Sequence, residues 1–310
     1  MWLGHAAMLL RMPLWLQTTS HIKTMRILVT GGSSPLAIGV MRLLLLQTDL
    51  ELWCGRHRKE IPLIDPRLHV IDLDLESDLS EALSDRQFNM VIHFAGVTHA
   101  SDEQQYWKVN LEGTRRLAES THANGCRRFV YISTRCATQG SGAYGESKLA
   151  AEQELQKLDW QSLLIIRPAE IYGGGGKEGI DRMLAVARRW RFVPALFGHV
   201  NLLFAPMYVD DFTKLTAELI QQHDEGVRIE TVCGLEDLNG RELAQRIAKH
   251  HRAFQLPLWW PALSATLKVL HKIGLSIVKP DQLTRLTAAK TGSAASTKST
   301  AQKIRRFPAN

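Results

Sequence analysis

A chain of 310 residues with 45% hydrophobic and 22% charged residues has ordinary globular composition, and it is long enough for one large domain or two unequal lobes on a shared core. Its four cysteines, Cys54, Cys126, Cys136 and Cys233, are scattered without a CxxC pair, which argues against a secreted disulfide scaffold and for a reducing, cytoplasmic setting. The net charge of +7 admits an anionic partner, whether nucleotide, sugar diphosphate, nucleic acid or acidic lipid, and does not choose among them.

Residues 1–24 contain an apolar stretch from Ala6 to Leu16, but Arg11 and Pro13 interrupt it, so it is too short and broken to span a bilayer. Met25 stands directly before the first convincing strand, and residues 1–24 are therefore read as a flexible leader or as an artefact of start-site choice, outside the fold either way. From there short apolar runs alternate with helix-period segments, the pattern of a parallel sheet with helices on both faces. Strands are expected at 26–30, 51–54, 68–71, 90–94, 129–133 and 163–167. Helices are expected up to Gln47, over 104–122, and from Tyr144 to Lys157.

Beyond Pro168 the alternation weakens, and the glycine run 173–176 reads as a connection leaving the sheet. The domain boundary is placed there: one domain over 25–172 and a second lobe over 173–310, with some elements returning to the first. Ile180, Met183, Leu184 and Ala187 share a helical face, as do Phe212, Leu215 and Leu219 after Asp210-Asp211. A strand at 227–232 precedes a helix with an Asn239-x-x-Glu242 cap. Over 256–279, Trp259, Trp260, Leu263, Leu267, Leu270 and Ile273 form an amphipathic stripe flanked by lysines, which either packs against the second lobe or touches a membrane surface peripherally. The terminal basic cluster Lys303, Arg305 and Arg306 reads as solvated, and no interleaved aromatic pattern supports nucleic-acid binding.

Two motifs carry chemistry. The first is the turn Thr30-Gly31-Gly32-Ser33-Ser34-Pro35 after the first strand, where glycine lets backbone amides approach a pyrophosphate at a helix N-terminus. Its spacing is irregular, with Ser34 where a second glycine is usual and Gly39 two residues late. The second is Tyr144-x3-Lys148, ten residues after Ser133-Thr134 at a strand end. Tyrosine and lysine four apart share a helix face, so the ammonium can lower the phenol's pKa and make it a proton carrier near neutral pH. No metal-ligating cluster is evident, and no metal is expected.

These residues, with Asp72-Leu73, His93-Phe94-Ala95-Gly96, Asn110-Leu111-Glu112-Gly113-Thr114, Arg167-Pro168, Tyr172-Gly173 and Tyr208-Val209-Asp210-Asp211, resemble the extended short-chain dehydrogenase/reductase family, in its NAD-dependent epimerase/dehydratase branch acting on nucleotide sugars. The resemblance runs from about Arg26 to about Ile220. It implies a Rossmann-type, doubly wound α/β fold with a smaller C-terminal substrate-binding lobe, and a homodimer joined through the two long helices. It implies that Gly31, Ser34 and Gly39 line the pyrophosphate turn, Asp72 and Leu73 flank the adenine, and Ala95 and Gly96 pass beneath the cofactor. Asn110 would brace the active-site helix, and Pro168 and Ile171 would pack near the nicotinamide. Tyr144 would be the acid/base and Lys148 the ribose ligand, with Thr134, assisted by Ser133, as the catalytic hydroxyl. Arg182 is a candidate for the substrate diphosphate.

Three departures from the pattern matter. Arg135-Cys136 follows Thr134 where the water-eliminating members carry an acidic pair, which argues against a 4,6-dehydratase. The connection from Thr134 to Tyr144 is short, leaving less protein over the substrate. After the second strand the chain reads Gly55-Arg56-His57-Arg58 instead of presenting an acidic residue to the adenosine ribose, so NADP is favoured slightly over NAD through Arg56. The expected function is reduction of a 4-keto group on a nucleotide-linked sugar. The alternatives are a 4-epimerase, then a hydroxysteroid or small-alcohol dehydrogenase, and a dinucleotide-sensing protein without turnover.

Overall fold

The computed structural model describes residues 24–47, 49–84, 86–100, 102–175, 179–199, 201–223, 225–273, 275, 279–294 and 304–308. Of the expected leader, residues 1–23 lie outside the described residues, as do Gly176 of the glycine run and Lys303 of the basic cluster.

The first half runs β1 (Met25–Thr30), α1 (Pro35–Leu44), β2 (Leu50–Arg56), β3 (Leu68–Asp72), α2 (Ser80–Leu83) and β4 (Met90–His93). A continuous helix follows, built of α3 (Gln104–Tyr106), a π-helical stretch (Trp107–Gly113) and α4 (Thr114–Ala123), then β5 (Arg128–Ile132), α5 (Ala143–Leu155), β6 (Ser162–Pro168) and β7 (Ile171–Tyr172). The second half contains α6 (Gly179–Trp190), β8 (Phe192–Phe197), β9 (Leu203–Phe204), β10 (Met207–Tyr208), α7 (Val209–Gln222), β11 (Gly226–Val232) and β12 (Leu238–Asn239). It ends with α8 (Gly240–His251), β13 (Phe254–Trp259), α9 (Trp260–Lys272) and α10 (Pro280–Thr287).

Seven strands form one sheet in the order β11-β6-β5-β4-β1-β2-β3, and every pairing within it is parallel. Sequence order reverses between β1 and β4, so the loops that leave these two strands diverge and open a crevice at the carboxyl edge. The two-residue alternation of β1 sorts its side chains: Ile27 and Val29 pack with Val40, Met41, Phe212 and Leu219 on one face, while Leu28 packs with Val91, Leu117, Phe129 and Leu155 on the other. Both faces are therefore covered, as an all-parallel sheet requires. Each such aliphatic side chain contributes about 1.5–3 kcal/mol on burial.

The chain beyond Tyr172 divides its elements between two cores. α7 returns to pack on α1, and β11 extends the main sheet beside β6. The remainder builds a second core from Tyr172, Ile180, Ala187, Val193, Leu243, Ile247 and Leu283. The capping box at Asn239 and Glu242 forms with both of its bonds. The stripe over 256–279 is not one helix: Leu256 to Trp259 belong to β13, paired in parallel with β8. Pro257 cannot continue a helical ladder, whereas Pro261 suits the first turn of α9. Trp260 is buried and Leu263 and Leu267 pack on the second core, so that part of the stripe faces inward. Arg305 also departs from the solvated reading. Its backbone N–H and Nε donate to Asp211 at the start of α7, at 2.9 and 3.0 Å, and its guanidinium covers the Tyr208 ring.

Gly39 lies inside α1 and faces α7, where a Cβ would stand 2.4 Å from Thr213 Cγ2. It is a helix-packing glycine and not part of the pyrophosphate turn, a correction to its expected role. Alanine there gains about 1 kcal/mol of helix propensity, but overpacking costs about 1–3 kcal/mol. Gly39→Ala should therefore lower the thermal midpoint of the wild-type chain, and should do so less or not at all in a Thr213→Ser background that lacks Cγ2. Equal losses in both backgrounds would show that the α1–α7 contact is not the constraint.

Candidate active site

The site assembles where β1, β4, β5 and β6 end. Gly31, at φ +69°, turns the chain so closely past β4 that a Cβ would meet the Ala95 nitrogen at 2.6 Å. Ser34 then caps α1, its hydroxyl accepting from the Ala37 N–H at 3.2 Å, and no acidic residue occupies the first turn. A tight glycine turn ahead of an uncharged helix N-terminus suits a dinucleotide pyrophosphate.

The loop after β4 is held from behind. Asn110 Oδ1 accepts from the Val97 N–H at 2.7 Å, while its Nδ2 donates to the Val97 carbonyl and to the Ser147 hydroxyl. One buried amide thus locks this loop to α5. Beneath it, His93 bonds through both ring nitrogens to the Thr30 and Thr114 hydroxyls, and burial, with Lys148 nearby, pushes its pKa down to about 3. It is a neutral packing residue.

α5 brings Tyr144 and Lys148 to one face. Lys148 is buried; its Nζ donates to the Ile132 carbonyl at 2.7 Å and lies 4.2 Å over the Tyr131 ring. A Cβ on Gly96 would stand 3.7 Å from that Nζ, so the bare Gly96 backbone leaves room beside the ammonium for a ribose. Burial lowers the Lys148 pKa to about 7, opposed by the charge of Glu152.

Tyr144 is pushed up to about 12, first by burial; the Arg285 guanidinium and a hydrogen bond with Thr134 pull the other way. Arg285 lies 4.5 Å from the Tyr144 ring centre and pairs at 3.1 Å with Asp281, which itself accepts from the Tyr144 N–H at 3.2 Å. Tyr106 meets the same ring edge to face at 5.9 Å. The cation expected to act on the phenol was Lys148. The one against it is Arg285, because the Ile132 carbonyl and the Tyr131 face hold the lysine ammonium.

The structure brings Tyr144, Thr134, Lys148, Gly96, Asn110, Ala95, Gly31 and Ser34 around this crevice. Other expected residues lie apart from it. Ser133 does not face Tyr144: its hydroxyl donates to the buried Glu152, which also binds Arg167. Arg182 is exposed on α6, and the arginine at the tyrosine is Arg285. Leu73 is buried against Gly55. Arg56 ends β2, and its Nε donates to Asp72 at 2.9 Å while Nη1 reaches Glu60. Pro168 accepts from the Arg135 N–H at 3.0 Å, and Ile171 lies in β7. Arg135 itself is buried and donates to the Leu203 carbonyl at 2.8 Å, which ties the short Thr134–Tyr144 connection to the second lobe.

Asp281 and Arg285 were not read from the sequence. The visible signal was local only: Pro280-Asp281 opening a helix with arginine four residues on.

Residues 27–233 match the NAD dependent epimerase/dehydratase family. The chain belongs to that family. A UDP-glucose 4-epimerase of Vibrio cholerae is 26% identical over 204 residues, 56% of this chain and 60% of that protein. A ceramide reductase of Caulobacter vibrioides is 37% identical over 98 residues, 31% of this chain and 30% of that protein. These matches thus span less than two thirds of either relative. Among solved structures, the enzyme WbmG of Bordetella bronchiseptica in complex with NAD and UDP superposes with a TM-score of 0.68 at 17% identity, over 91% of this chain and 90% of that one. The UDP-glucose 4-epimerase of Thermotoga maritima with UDP-glucose gives 0.67 at 16%, over 88% and 92%. The shared feature at this identity is the fold.

The lowered Lys148 pKa has a measurable sign. Between about 7 and the ordinary 10.5 the unfolded chain holds more protons than the folded one, so the stability cost of burying this lysine is full below pH 7 and fades toward 10.5. Relative to the wild type, Lys148→Met should therefore be most stabilised near pH 6 and lose that advantage as pH rises, read from urea midpoints. Parallel pH profiles for the two proteins would contradict a neutralised lysine.

Proposed function

We propose that the chain is an NAD(P)-dependent oxidoreductase that reduces the 4-keto group of a nucleotide-linked sugar, with Tyr144 as the proton donor. The observation that carries this is the arrangement on α5, where Tyr144 and Lys148 share one helix face and the bare Gly96 backbone lies beside the Lys148 Nζ; burial also pushes the phenol pKa up, to about 12, which suits a proton donor to a carbonyl oxygen. When bound, the reduced dinucleotide would supply the hydride. The Thr134 hydroxyl, bonded to Tyr144, orients the substrate oxygen, and Lys148 beside Gly96 holds the ribose. Arg285, 4.5 Å from the ring centre, offsets part of the burial effect on the phenol.

Transfer is tested by mixing purified protein with NADPH or NADH and a nucleotide 4-keto-sugar and following loss of the reduced dinucleotide. Tyr144→Phe should lower kcat about a thousandfold with little change in dinucleotide affinity, and unchanged turnover would defeat the mechanism. The second reading, a 4-epimerase, draws on the Vibrio cholerae relative. An epimerase regenerates its own dinucleotide, so stoichiometric NAD released on denaturing fresh protein would favour it over the reductase.

NADP is the proposed dinucleotide, because Arg56 and Arg58 surround the end of β2, where an acidic side chain would repel a 2′-phosphate. Arg56 must then exchange Asp72 and Glu60 for the phosphate. Arg56→Ala should raise KM for NADPH about tenfold and leave KM for NADH nearly unchanged. Equal effects on both would remove Arg56 from the phosphate site.

A further inference from the structure

At the far end of the second lobe, α6 and α8 finish side by side. Their first turns carry the acidic residues, Asp181 and Glu242, and their last turns carry the basic ones, Arg188 and Arg189 in α6 and Lys249, His250 and His251 in α8. Basic groups at a helix C-terminus complement its dipole, and that alone would explain these residues. It does not explain the next ones. Among the described residues, the non-glycine positions with positive φ are Arg191, at 57°, and Arg252, at 51°, each following one of these helices. Glycine takes this left-handed conformation without steric cost and is the usual residue there. Two arginines therefore occupy a disfavoured backbone state at the same end of the lobe. They are also neighbours, since the Arg191 carbonyl accepts from the Phe254 N–H at 2.9 Å and the Arg191 guanidinium donates to the His251 carbonyl.

Large apolar side chains stand exposed among these charges. Trp190 is 63% exposed, Phe254 62% and Leu256 42%. Phe192 and Phe254 are cross-strand partners on β8 and β13, with ring centres 6.0 Å apart, and the Arg189 guanidinium lies 5.1 Å from the Trp190 ring centre. The opposite face of β8, Val193 and Ala195, is the one buried by the second core. No Asp or Glu occurs from Arg182 to Val209, or from Leu243 to Pro280. Consistent with that crowding, burial and then His250, Arg188 and Arg191 hold the His251 pKa below its ordinary value.

We propose that this end of the second lobe docks on an anionic lipid bilayer, with Trp190, Phe254 and Leu256 entering the headgroup boundary and Arg191, Arg252 and Lys249 meeting lipid phosphates. An exposed aromatic and aliphatic centre within a basic rim is the chemistry of interfacial binding. A second copy of the chain fits poorly, because a two-fold contact would set the same basic rim against itself. The charge sign favours phosphatidylglycerol-like or phosphatidylserine-like headgroups over neutral ones. This is a different surface from the inward-facing stripe of α9, and from the crevice at Tyr144.

The test is co-sedimentation of the full chain with phosphatidylcholine vesicles, alone or mixed two to one with phosphatidylglycerol. The wild type should pellet with the mixed vesicles, should not pellet with the neutral ones, and should be released by added salt. Arg191→Gly/Arg252→Gly relieves both left-handed positions, so it should melt at or above the wild-type temperature while its vesicle partitioning falls about 30-fold. Trp190→Ser/Phe254→Ser should also weaken partitioning and leave the salt response in place. Wild-type protein that ignores mixed vesicles, or a double-glycine variant that binds as the wild type does, would overturn the proposal. So would concentration-dependent self-association that the same glycine variant abolishes without any vesicle binding, since the face would then serve a second copy.

Discussion

The site depends on one buried ion pair. Glu152 is almost wholly enclosed between β5, α5 and β6, its carboxyl group accepting from Ser133 at the end of β5 and from Arg167 near the end of β6. Losing one partner of such a pair costs about 3–5 kcal/mol, because the remaining charge is left unpaired. This bond fixes the rotation of α5 about its own axis. Lys148 lies one turn earlier on that helix and Tyr144 two, so both are aimed at the crevice by a contact that neither of them makes. Glu152 also opposes the desolvation of Lys148, and structure and electrostatics at the ammonium share this source.

The sheet was legible because each buried strand is a short apolar run and the intervening helices carry their apolar residues at helical spacing. Tyr144 and Lys148 were legible for the same reason: a spacing of four on a helix places two side chains on one face whatever surrounds them. The direction of a hydroxyl at a strand end was not. Ser133 and Thr134 are adjacent and chemically alike; the resemblance singled out Thr134, but that Ser133 is turned away from the tyrosine follows only from the position of Glu152. Gly39 illustrates the same limit. The family resemblance implied a place in the pyrophosphate turn despite its late spacing, and its reason for being glycine is Thr213 of a helix formed much later in the chain.

The second lobe was harder to read because its pieces are short and serve two cores. β8 and β13 are joined across a long sequence separation and interrupted by Pro194 and Pro257, so neither shows the alternation of an ordinary strand. α10 is a brief helix whose apolar content, mainly Leu283 and Leu286, gives little periodic signal. Its importance comes from what it covers. Asp281 accepts from the Tyr144 N–H and Arg285 lies against its ring, and the guanidinium charge opposes the rise in the phenol's pKa that burial causes.

That contact with Asp281 has a consequence for the order in which the protein matures on the ribosome. The residues of the glycine turn, the β4 loop and α5 are all synthesised within the first half of the chain, and domains organise from the N-terminus as they emerge. The bond between the Tyr144 N–H and Asp281 spans 137 residues, a lag of roughly 7–27 s at ordinary elongation rates. During that interval Tyr144 is without its Asp281 contact, so the tyrosine is clamped only after the rest of the sheet's sequence, through β11, has been made.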